Sequence, residues 1–134
     1  MSAAKVVIVD DEVEFASTLS ERLTLRNYDA KAVYCAEDAF TIARKDQPDV
    51  VLLDMKMPGM SGTEICGIIK QFNPVIQVIM LTGESGSEIL PEIAEEDVFD
   101  YVMKPVDIEE LTRKIDSALK KAAALKQMDE HGSR

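Results

Sequence analysis

The stretch VVIVDDEVEFASTLSERLTLRN, residues 6–27, decides the fold. Four β-branched residues run into two carboxylates, Asp10 and Asp11, and the period then changes, with Phe15, Leu19 and Leu23 recurring at helical spacing. A short apolar run followed by an amphipathic helix is half of a βαβ unit. The same kind of ending returns three times: VVLL (50–53) stops on Asp54, VIQVIML (75–81) on Thr82, and FDYVM (99–103) on Lys104. As parallel strands, these runs bring three carboxylates, a hydroxyl and an ammonium to one sheet edge. Open parallel sheets bind ligands outside the carboxyl ends of their strands, where the strand order reverses.

Working outward, strands are predicted at residues 5–10, 29–34, 49–54, 75–81 and 99–103, and helices near 14–27, 36–45, 62–72, 86–96 and 107–127. Ser or Asp followed three residues later by Glu marks a helix start, because the two side chains can satisfy the first backbone donors. Such pairs stand at Asp11 and Glu14, Ser61 and Glu64, Ser85 and Glu88, and Asp107 and Glu110. The predicted fold class is α/β, a doubly wound five-stranded parallel sheet in the order 2-1-3-4-5 flanked by five helices, with strands 1 and 3 at the switch point. One domain is expected over 1–122. Residues 123–134 read as an extension of the last helix and a tail frayed beyond Gln127.

The 134 residues are enough for one core, and 46% hydrophobic with 30% charged residues is globular composition. No apolar stretch approaches the ~18 residues that would span a bilayer, and the N-terminal MSAAK lacks the pattern of a leader peptide. A cytoplasmic location is the expectation. A net charge of −10 speaks against direct binding of nucleic acid, which needs Lys and Arg to neutralise phosphates. Cys35 and Cys66 lack metal-ligand spacing and read as buried free thiols. His131 has no assigned role.

Three carboxylates within a few ångströms repel one another unless a cation joins them. Magnesium suits such a set, since it takes oxygen ligands and retains waters. One carboxylate can then act as a nucleophile and form an aspartyl phosphate. Asp54, alone on its strand end, is the candidate; Lys104 offers a charge and Thr82 a hydroxyl to phosphoryl oxygens. Asp10 and Asp11 could merely cap the first helix, and Asp11 is expected to do so as well. Capping does not account for Asp54, Thr82 and Lys104 at three other strand ends.

VDD, LLDMKMPGMSG, MLTG and YVMKP, in this order and spacing, resemble the receiver domains of bacterial response regulators in two-component signalling, chemotaxis-regulator-like members of the flavodoxin-like fold. The resemblance extends to about residue 120. It implies that Asp54 accepts a phosphoryl group from a histidine kinase or phosphotransfer protein. It also implies that Asp10, Asp11, Asp54 and the Lys56 backbone carbonyl hold Mg2+, Asp10 through water. It further implies a cis peptide before Pro105 and a switch in which Thr82 moves and Tyr101 turns. That switch remodels the face of the fourth predicted helix, the fifth strand and the fifth predicted helix, where a downstream protein binds. Such a domain is a monomer or a weak phosphorylation-dependent dimer, and catalyses only its own phosphorylation and dephosphorylation.

Two positions flanking the site vary in the family and influence phosphoryl lifetime, here Lys56 and Glu84. Their opposite charges are expected to pair across the mouth and slow hydrolysis. Pro91 predicts a short or irregular fourth helix, because an interior proline costs roughly 3 kcal/mol, and Asp97 stands where relatives commonly carry glycine. The chain reads as a stand-alone receiver, with the receiver portion of a longer regulator as the alternative. An aspartate-nucleophile phosphatase would need a second acid at the position of Lys56. A flavodoxin would need a phosphate loop where Asp10 and Asp11 stand.

Overall fold

Strands β1 (Lys5–Val9), β2 (Asp29–Val33), β3 (Val50–Asp54), β4 (Gln77–Thr82) and β5 (Asp100–Met103) form one parallel sheet in the order β2-β1-β3-β4-β5. This is a computed structural model, and it describes residues 3–83 and 97–132. Helices α1 (Val13–Thr24), α2 (Ala36–Asp46), α3 (Gly62–Phe72) and α4 (Ile108–Gly132) cover the sheet. The predicted helix at 86–96, with Pro91 and the Ser85–Glu88 pair, lies outside the described residues, as does Glu84.

Burial on both faces explains why the strand sequences are continuously apolar rather than alternating. Every residue of β3 and β4 is buried, whereas the edge strand β2 is not. In β1, Val6 and Ile8 enter one core with Leu19 and Leu23 of α1 and Leu111 and Ile115 of α4. Val7 and Val9 enter the other, with Ala39 and Ala43 of α2 and Ile65 and Ile69 of α3. Each such Val, Leu or Ile side chain contributes about 1.5–3 kcal/mol on burial.

Helix starts divide into used and unused signals. Ser61 forms a capping box with Glu64 at α3, and Asp107 Oδ1 accepts from the backbone N–H groups of Glu109 and Glu110 at α4. The Asp11–Glu14 pair is not used: the cap of α1 is Glu12, whose side chain makes no capping hydrogen bond. Asp10 makes the turn instead, its Oδ1 accepting from Glu12 N–H at 2.9 Å, and Asp11 is left beside the other carboxylates. Three further differences are small. β4 starts at Gln77 because Asn73 organises a turn through Val75 and Ile76. α4 continues through most of the tail expected to fray. Cys35 is exposed, since it precedes α2 beside the edge strand, while Cys66 is buried.

The register sets the site. β1 and β3 pair through Val9 and Leu53, and β4 and β5 through Thr82 and Met103. Asp10, Met55 and Lys104 continue the ladder through N–H bonds to Val33, Leu81 and Thr82. The strand-end residues therefore leave the sheet from fixed backbone.

Candidate functional site: an acidic cleft at the carboxyl edge of the sheet

Asp10, Asp11 and Asp54 each present a carboxylate oxygen, and these atoms lie within 4.8 Å of one another. Asp10 is fully buried, Asp54 nearly so, and Asp11 is exposed. Lys104 reaches over them from the end of β5. Its Nζ is 2.7 Å from Asp10 Oδ2, 2.9 Å from Glu12 Oε1 and 3.7 Å from Asp54 Oδ1. The ammonium also lies 4.6 Å from the centroid of the Phe15 ring. The Lys104–Pro105 peptide is cis.

Electrostatics follow from this crowding. Burial, reinforced by the negative charge of Asp10, pushes the Asp54 carboxyl up from 3.8 to about 6, against the opposing pull of Lys104 and of the Lys56 N–H. Burial alone would lower Lys104, but hydrogen bonding and charge from Asp10, Glu12 and Asp54 outweigh it and raise the pKa. The carboxylates are thus held together at an electrostatic cost that a cation would relieve. Three hard oxygen donors, with one carboxylate exposed to solvent, fit an oxygen-seeking divalent ion.

The remaining residues are placed as follows. Thr82 Oγ1 is buried at the end of β4 and has no hydrogen-bond partner among the described residues. A buried, unsatisfied hydroxyl costs about 1–3 kcal/mol, which points to a ligand atom as its partner. Lys56 lies on the rim of the cleft, and its N–H donates to Asp54 Oδ1 at 3.3 Å. Tyr101 is half-buried on β5, packed against the core shared with α2 and α3, and its carbonyl accepts from Lys114 Nζ of α4 at 2.6 Å. The expected pairing of Lys56 with Glu84 lies outside the described residues.

Three features escaped the sequence reading. Glu12 shares Lys104 with Asp10; its place directly after the acid pair was the available signal. Phe15 faces the same ammonium. Gly62 lets α3 start against the end of β3: a Cβ there would come within 2.6 Å of the Asp54 carbonyl oxygen and 2.9 Å of Met55 Cα. An apolar cleft of about 610 Å³ runs along α1, lined by Phe15, Leu19, Pro105 and Val106.

A parallel sheet in this order, with an acid cluster, a buried hydroxyl and a lysine at its carboxyl edge, defines a doubly wound α/β domain with a ligand site at its switch point. The response regulator receiver domain family matches residues 6–116, and the chain belongs to that family. It is 32% identical over 119 residues to the DNA-binding transcriptional regulator NtrC of Proteus hauseri, covering 89% of this chain and 25% of that protein. The chain therefore spans about a quarter of that relative's length. A receiver domain protein from Clostridium thermocellum is 29% identical with a TM-score of 0.84, covering 91% of this chain and 98% of its own. A CheY-like receiver from Methanospirillum hungatei JF-1 is 25% identical with a TM-score of 0.84, covering 92% and 98%.

Proposed function

We propose that this domain is a phosphoacceptor, taking a phosphoryl group on Asp54 from a histidine kinase or a phosphotransfer protein with Mg2+ as cofactor. The observation that carries the reading is the convergence of a buried Asp54, two further carboxylates, Lys104 and a buried Thr82 hydroxyl that has no partner among the described residues. Asp10, Asp11, Asp54 and the Lys56 carbonyl would hold Mg2+, which when bound neutralises charge on the transferring group. An Asp54 carboxylate oxygen attacks phosphorus, and the bond from phosphorus to the donor breaks, its electron pair leaving with the donor. Lys104 and Thr82 then hold phosphoryl oxygens, by charge and by hydrogen bond.

The switch follows from the same residues. Thr82 gains a partner on phosphorylation and moves toward it, and Tyr101 turns into the space released. Lys114 ties the Tyr101 backbone to α4, so a shift at Tyr101 is felt on the face of β5 and α4, where a downstream protein would bind. The phosphoryl group moves this equilibrium only by its differential interaction with the two states.

Among the described residues no helix is long and apolar enough to cross a membrane, and a cytoplasmic location accords with a kinase partner. A second reading, the receiver portion of a longer regulator, is favoured by the NtrC relative and by the 25-residue α4; the full open reading frame distinguishes the two. For the phosphoacceptor role, incubation with acetyl phosphate and Mg2+ followed by intact mass is decisive. Wild type gains one phosphoryl mass and Asp54→Asn gains none; equal labelling of both would refute the assignment.

A further inference from the structure

Phosphorylation alone leaves Glu12 unexplained. It caps α1 by position, yet its side chain makes no capping hydrogen bond. Its Oε1 instead lies 2.9 Å from Lys104 Nζ, closer than Asp54 Oδ1 at 3.7 Å. An ammonium has three donors, and in the resting protein the two shortest contacts go to Asp10 and Glu12. These two partners differ in their freedom to leave. Asp10 is fully buried and also accepts the Glu12 N–H, whereas the Glu12 side chain is 65% exposed and can rotate into water.

Glu12, Lys104 and Gly83 also line both the acidic cleft and the apolar cleft along α1. The Glu12–Lys104 pair therefore stands between them. We propose that Glu12 is a placeholder anion: its carboxylate competes for Lys104 with a phosphoryl oxygen on Asp54, and gives up that contact when Asp54 is phosphorylated. This deepens the phosphoacceptor reading and rests on it. Two effects act in the same direction. Glu12 holds the ammonium nearer to itself than to Asp54, and its charge repels the incoming dianion.

The test is Glu12→Gln in the full chain, with acetyl phosphate labelling rate, beryllofluoride affinity and Mg2+ affinity measured against wild type. An exposed pair of this kind corresponds to a factor of roughly two to five. The labelling rate and beryllofluoride affinity should rise by that factor, while Mg2+ affinity changes by less than about twofold. The advantage should shrink at high salt, because the pair is solvent-screened. A variant no faster than a labelled wild type overturns the proposal. So does a several-fold loss of Mg2+ affinity, which would make Glu12 part of the cation site. If wild type itself neither labels nor binds beryllofluoride, the phosphoacceptor reading fails first. Thermal melts of the variant separate these outcomes from misfolding.

Discussion

At the scale of single residues, the site is built from groups whose resting state is unfavourable. Thr82 buries a hydroxyl without a partner among the described residues, and Asp54 is a carboxylate pushed up to about 6 by burial and by Asp10. Both conditions would be relieved by the proposed ligands, the first by an acceptor oxygen and the second by a cation. Thr82→Val removes the hydroxyl at nearly constant shape. Urea unfolding should show stability unchanged or raised by about 1 kcal/mol, while beryllofluoride affinity falls. Stability and ligand affinity falling together would instead make Thr82 a packing residue. With Asp54 as a proposed Mg2+ ligand, protons would compete with the metal for it, so Mg2+ affinity should weaken as pH falls through about 6. A calorimetric titration at several pH values measures this, and affinity constant between pH 5 and 7 would remove Asp54 from the ligand set.

At the scale of elements, the site depends on how helices meet strand ends. Gly62 places the first turn of α3 against the Asp54 and Met55 backbone, with its N–H donating to the Met55 carbonyl at 3.0 Å. Gly62→Ala should therefore destabilise by about 1–3 kcal/mol, as overpacking against backbone does, in contrast to an ordinary helical alanine, which stabilises. Chemical denaturation decides the sign. This contact also shows what was legible in the sequence and why. Strand ends announced themselves because Asp54, Thr82 and Lys104 interrupt apolar runs, and the Ser61–Glu64 box is local chemistry three residues apart. Gly62 could not be read, because its requirement arises only when α3 packs on β3. Asp11 misled for a related reason: the local signal for a cap was present, but Asp10 turned the chain. Glu12 was signalled only by its place after the acid pair, because its partner, Lys104, is 92 residues away. Cys35 read as buried from its residue type, yet the order of strands puts β2 at an edge.

At the scale of the whole molecule, the crowded cleft should couple folding to pH and, on the proposed reading, to Mg2+. The Asp54 pKa is about 6 in the native state against 3.8 ordinarily, so the native state binds more protons between those values. The stability of the metal-free protein should therefore fall as pH rises from about 4 to about 6, by no more than about 2–3 kcal/mol from this group, and level off above. Asp54→Asn should lack that component and be the more stable protein at pH 7 without metal. Mg2+ should raise wild-type stability above pH 6 through binding to the native state. Denaturation curves of both proteins with and without Mg2+ test this, and a wild type insensitive to both variables would exclude the electrostatic account. On the proposed reading Asp54 is the acceptor. Treatment with acetyl phosphate and Mg2+, then borohydride reduction of the acyl phosphate, followed by peptide fragmentation, locates it directly. The predicted result is homoserine at position 54, lost when Mg2+ is withheld; homoserine at another aspartate, or none in a protein that carries the phosphoryl mass, would contradict it.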